Sequence, residues 1–316
     1  MSRDLLYEGE MNCSWLAANR AASGPGGGSV GSVTGPSVRR ASADAPILGR
    51  AGISAVHPQS GWHWVEWASE FLGTAILLAG GLSAVCLDFG SGSAMVRAVP
   101  SHSARLLITG LLFAGTGSLM AISPWGRRSG AHLNPVVTVA FWLRGHVHRH
   151  DLAGYVAAQI LGAFAGTALV RLAWGPVARS VRLGVTQPGR GLNAQEAAGV
   201  EALMTAVLVS TIFVMVASVR RARWTPLVLW FVIATLVWQG APYTGTSLNP
   251  ARSLAPAALL PHWANFGVYV IGPTLGGLAA VAVFAVIPGA QAVTAKLYHD
   301  PRYRSTLRSW LPARVD

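Results

Sequence analysis

Six long apolar runs, two short ones and a repeated Asn-Pro phrase predict an all-α membrane protein of six transmembrane helices plus two re-entrant half-helices, set out as an inverted 3+3 repeat. Composition comes first. The 316 residues are 52% hydrophobic and 11% charged, where a soluble domain carries about 25% charged residues. The phrase Ser129-Gly130-Ala131-His132-Leu133-Asn134-Pro135-Val136 returns as Gly245-Thr246-Ser247-Leu248-Asn249-Pro250-Ala251-Arg252. Each Asn-Pro is followed by about ten mostly apolar residues, whereas a helix needs about 20 to cross a bilayer core.

Taken in order, residues 1–61 hold Gly24-Pro25-Gly26-Gly27-Gly28-Ser29 and few large apolar side chains, which predicts a disordered extension. No compact apolar run with a small-residue cleavage site marks a secretory signal there, and Met11 is a possible alternative start. The membrane domain is expected over 62–290, with repeats of about 66–174 and 196–288, and a cytoplasmic tail over 291–316. Spanning helices are expected near Trp67–Asp88, Leu106–Ser123, Leu152–Trp174, Ala197–Val219, Pro226–Ala241 and Gly267–Ile287. Trp62, Trp64 and Trp67 fit an interfacial aromatic belt. Cys13 and Cys86 fall in a tail and a span, with no disulfide framework or metal-ligand spacing.

The formal net charge of +12 would suggest nucleic acid in a soluble chain. Here the basic residues lie in loops and tails and orient the chain instead, so no nucleic-acid partner is expected. With both termini on one side, 17 Lys and Arg fall on that side and 6 on the other, Arg252 belonging to neither set. That excess places both termini in the cytoplasm. The two phrases then enter from opposite faces, because three spans per half invert the second half relative to the first. Glu70 and Glu201 begin the first span of each half and extend the repeat; alone, each is also consistent with an interfacial glutamate.

Asn134 and Asn249 are favoured N-caps, and Pro135 and Pro250 are favoured at the next position, where a missing N–H costs nothing. With the Asn oxygen spent on the helix, the NH2 group is left to donate outward. Each helix start also carries roughly half a positive elementary charge. Two such tips facing one lumen accept a neutral molecule with an oxygen lone pair and oppose a cation. The irregular segments before them would supply carbonyl acceptors.

These residues resemble the major intrinsic protein family, the aquaporins and aquaglyceroporins, over about Glu66 to Ile287. The resemblance also rests on Glu70-Phe71-Leu72-Gly73-Thr74, Gly154-Tyr155-Val156-Ala157-Ala158-Gln159 and Gly272-Pro273. It implies a channel for water and small uncharged solutes in the cell (plasma or inner) membrane, a homotetramer with one pore per subunit surrounded by lipid, and no cofactor. It also implies a selectivity filter of Arg252, Thr246, Val237 and Ala114, with Gly115 or Thr116 as alternatives to Ala114. Water-selective members resemble one another in an aromatic on span two and a histidine on span five, so a filter with Ala114 and Val237 looks wide and apolar. Ser253 is similar to water channels, while Tyr269-Val270 looks like nodulin-type plant channels and their bacterial relatives, which pass water, glycerol and uncharged metalloid acids. The family reading makes Glu70 and Glu201 supports for the re-entrant loops. Val136 stands where alanine is usual, so its extra methyls are expected where the half-helices meet.

His132 is read as stabilising its loop rather than gating, and Arg127 and Arg128 as positive-inside residues. His146, His148 and His150 alternate on a basic loop, which suits a solvated segment better than a metal site. Two rivals are kept. A secondary transporter shares inverted repeats and broken helices, but needs a coupling-ion site, and the spans show no buried acid beyond Glu70 and Glu201. A closed-pore junctional or scaffolding protein would use Val136 as a plug.

Overall fold

The computed structural model describes residues 62–287, 291–300, 302–303 and 305–307. Eight helices carry the architecture: α1 Trp64–Phe89, α2 His102–Ile122, α3 Pro135–Leu143, α4 Arg149–Trp174, α5 Ala194–Val216, α6 Thr225–Thr244, α7 Pro250–Leu259 and α8 Val268–Val286. Six of them are long and apolar enough to cross a membrane. The other two, α3 and α7, have 9 and 10 residues. At about 1.5 Å per residue each reaches only halfway through a core about 30 Å thick.

Local chemistry sets the ends. Ser101 and Asn193 cap α2 and α5 through their side chains, Asn193 as half of a capping box with Glu196. Helix α6 runs three residues past its expected end at Ala241, because Pro242 sits in its last turn and Gly245, at φ 74°, closes it.

The two halves pack in the same way. A methyl group added at Gly162 or Gly166 of α4 would lie 2.3 or 2.2 Å from the carbonyl oxygens of Phe71 and Ala75 on α1. At Gly272 or Gly276 of α8 it would lie 2.7 or 2.1 Å from those of Ala198 and Ala202 on α5. Between helices in lipid there is no hydrophobic drive to associate, so close backbone approach through small residues supplies the dispersion energy. The Gly-xxx-Gly pairs are therefore the seams of the repeat. Helices α1 and α8 begin and end the described bundle on one face, here the tail side; α3 enters from that face and α7 from the far side.

The aromatic belt differs from expectation at one residue. Trp62 and Trp64 are about two-thirds exposed, but Trp67 is buried and donates to Asp151 Oδ1 at 3.1 Å. The expectation for 1–61 lies outside the described residues. The C-terminal segment is not a free tail where it is described: Val293 N donates to Val216 O at 2.8 Å and Leu297 N to Gly130 O at 3.0 Å.

Candidate functional site

The two phrases meet tip to tip. Asn134 Oδ1 accepts Val136 N at 2.9 Å, and Asn249 Oδ1 accepts Ala251 N at 3.0 Å. Pro135 and Pro250 open their helices at the first position. The NH2 groups are not wholly free. Asn134 Nδ2 donates to Leu248 O and Asn249 Nδ2 to Leu133 O, both at 2.8 Å. One hydrogen of each amide thus ties the opposite loop, and the second remains to donate.

The loops before the tips are twins. Gly130, Ala131 and Leu133 have φ of 97°, 54° and 51°, matched by Gly245, Thr246 and Leu248 at 74°, 48° and 57°. Left-handed backbone at four non-glycine residues is strained, and two buried carboxylates offset it. Glu70 accepts His132 N at 3.0 Å and Leu133 N at 2.7 Å. Glu201 accepts Ser247 N at 2.8 Å and Leu248 N at 2.9 Å.

Side chains that sequence reading left without a role complete the brace. Gln159 donates to both Glu70 and Thr138, and Thr244 donates to Glu201. Tyr155 and Tyr269 donate to the carbonyls of Ser129 and Thr244. His132 bonds Thr138 Oγ1 at 3.2 Å and the Ala295 carbonyl at 2.8 Å, so it ties its loop to both α3 and the C-terminal segment. The signal for Tyr155 and Tyr269 was the aromatic at the start of α4 and of α8.

Two cavities meet at this point. A tail-side cavity of about 110 Å³ is lined by Asn134, Asn249, Val137, Ala114 and Leu297 among others. A far-side vestibule of about 450 Å³ is lined by Val237, Thr246 and Gly184 among others. Phe113, Ile233, Ser247, Leu248 and Arg252 border both. Arg252 is 6% exposed, donates to Gly184 O at 2.7 Å, and stands with its guanidinium carbon 5.6 Å from the Phe113 ring centre.

Four expectations change. The span-two side chain against Arg252 is Phe113, not Ala114, which borders only the tail-side cavity. The two are neighbours on α2, about 100° apart around a helix of 3.6 residues per turn, so a shift of one residue changes which side chain faces the arginine. Second, the wall shared by the two cavities therefore carries an aromatic, Phe113, where Ala114 implied none. Third, Val136 does not sit in the lumen. It packs on Gly277 of α8, where an added methyl would lie 2.4 Å from Val136 Cγ1, and it borders a separate apolar groove; the lumen-side residue is Val137. Fourth, Glu70 and Glu201 are not the only buried acids. Glu66, Asp88 and Asp151 are buried as well, but at helix ends: Asp88 accepts Thr109 Oγ1 at 2.6 Å, and Asp151 bonds His63 Nδ1 at 2.8 Å. None of the three borders either cavity.

Six spans with two opposed half-helix tips beside an embedded arginine define a class: a multi-pass membrane channel whose conduit runs past helix N-termini. Comparison with known proteins agrees. The family model for major intrinsic protein matches residues 57–284. Aquaporin-2 of Bos taurus is 36% identical over 238 residues, covering 72% of this chain and 81% of that one. The lens fiber major intrinsic protein of Lithobates pipiens is 34% identical over 230 residues, covering 71% and 81%. Aquaporin TIP4-1 of Zea mays is 35% identical over 158 residues, covering 49% of this chain and only 60% of that relative's length. The solved aquaglyceroporin from Plasmodium falciparum superposes with a TM-score of 0.60 at 19% identity, over 71% of this chain and 96% of that one. The chain belongs to the major intrinsic protein family, whose members are passive channels and not enzymes. It is a membrane channel for water or small solutes.

Proposed function

We propose that the chain conducts water and small uncharged solutes such as glycerol, and excludes protons and ions, as a homotetramer in the cell membrane with both termini in the cytoplasm. The observation that carries this is the reciprocal pair Asn134 Nδ2 to Leu248 O and Asn249 Nδ2 to Leu133 O. It holds two positive helix ends at one point on the path. A cation there meets two like partial charges and the guanidinium of Arg252, while a neutral hydroxyl or water meets donors.

The loops supply the acceptors. A trans peptide points its C=O opposite to its N–H. With His132 N and Leu133 N turned to Glu70, the carbonyls of Ala131 and His132 point away from Glu70. The carbonyls of Thr246 and Ser247 point away from Glu201 for the same reason. The filter of this reading is Phe113, Val237, Thr246 and Arg252. Val237, an apolar side chain smaller than the histidine of water-selective members, supports glycerol as well as water as the solute of this reading.

Stopped-flow light scattering on proteoliposomes tests this. The expected outcome is osmotic shrinkage well above the lipid background, reswelling in glycerol, and no added proton leak to an internal pH dye. Water flux without glycerol uptake refutes the wider filter, and saturable, gradient-coupled uptake favours a transporter.

A further inference from the structure

The C-terminal segment lies against the tail-side cavity, on the side from which the channel reading requires entry. Leu297, 8% exposed, borders the same cavity as Asn134 and Asn249. Its neighbours are strapped to the loop that bears the first helix tip. Leu297 N donates to Gly130 O at 3.0 Å, and Ala295 O takes His132 Nε2 at 2.8 Å. Lys296 Nζ donates to Arg127 O and Asp300 pairs with Arg127 Nη1, both at 2.8 Å.

We propose that residues 291–300 are a detachable stopper for the tail-side mouth, with Leu297 as its wedge, and that full conduction requires this segment to leave. The proposal rests on the channel reading above. The segment has no helix or strand of its own; it is held by bonds to Arg127, Gly130, His132 and the end of α5, and by Ala292, Ala295 and Leu297 packed on the core. With no intrahelical ladder to break, it is the kind of unit that opens locally while the spanning helices stay folded. Docking also buries Lys296 to 1% exposure. Taking an ammonium out of water costs free energy, so the closed form carries a built-in opposing term. The same segment ties directly to His132, whose backbone N–H is one of the two held by Glu70.

The experiment compares water permeability per channel in proteoliposomes for the full chain, a chain ending at Ile287, Leu297→Ala and Leu297→Trp. If the docked form holds about nine-tenths of the population, removing the stopper raises flux roughly tenfold. Leu297→Ala is expected to raise it in the same direction and Leu297→Trp to lower it. Shortened chain and Leu297→Ala both running at the full chain's rate, above lipid background, overturns the stopper and leaves the channel reading standing. Leu297→Trp running as fast as Leu297→Ala also overturns it. All four at lipid background overturns the channel reading itself. Should the shortened chain fail to fold, the two Leu297 substitutions decide.

Discussion

Val136 carries two methyls more than Ala251, its counterpart in the second phrase, and Gly277 is the reason the fold tolerates them. The side chain turns onto α8 at the only kind of residue that leaves space for it. Val136→Ala is therefore expected to leave water flux within about twofold while lowering stability by about 1–2 kcal/mol for two buried methyls, read from proteoliposome flux and thermal unfolding. A large gain in flux would put Val136 back in the lumen. Phe113 is the opposite case, a residue with no place in the sequence reading that stands against Arg252. Phe113→Ala is expected to raise the ratio of glycerol to water flux, measured in the same vesicles. The Asn-Pro residues, Arg252, Glu70 and Glu201 were legible because each does local chemistry: capping, charge in an apolar run, an acid at a repeated place. Phe113 was not, because which side chain of α2 faces Arg252 is set by the rotation of that helix in the packed bundle.

At the level of elements, the seams between α1 and α4 and between α5 and α8 decide whether the tips meet. Gly166→Val forces Cβ into the Ala75 carbonyl, 2.2 Å away, and overpacking of this kind costs about 1–3 kcal/mol. Gly199 lies on α5 with nothing within 4 Å of an added Cβ, so Gly199→Ala gains up to about 1 kcal/mol of helix propensity. Thermal unfolding of the purified protein is expected to move down for Gly166→Val and to stay or rise for Gly199→Ala. Equal losses would show that glycine's role here is not close approach. The four-residue spacing of these glycines is visible in the sequence; which backbone each meets came from the packed structure.

On the scale of the whole molecule, the C-terminal segment couples the mouth to the solution on the tail side. Burial is the largest cause that lowers the Lys296 pKa from 10.5 to about 8; Arg128 lowers it further, while Glu66 and Asp300 raise it. Burial and Lys296 also lower the His299 pKa, against Asp300, which raises it. Both groups bind protons more tightly undocked than docked, so docking releases protons. Docking strengthens as pH rises from the docked value near 8 toward the free lysine value of 10.5. Below the ordinary histidine range, protonation of His299 opposes docking in the same sense. Water flux through the full chain is thus expected to fall between about pH 8 and pH 10.5, and flux through a chain ending at Ile287 to stay level. Identical pH profiles for the two chains would sink the coupling.

By itself the sequence determined six spans, two half-helices and their inversion, because apolar length, Asn-Pro capping and an odd number of spans in each half are local or additive properties of the chain. It also located Glu70, Glu201 and Arg252, since an ionisable group inside an apolar run is conspicuous before any folding. Tertiary structure alone decided that each asparagine amide is half spent on the opposite loop, that Phe113 faces Arg252, that Val136 packs on Gly277, and that Leu297 borders the tail-side cavity. The physical reason is common to all four. Each depends on a partner far away in sequence, and the direction in which a side chain points is set by the packing of helices rather than by its neighbours along the chain.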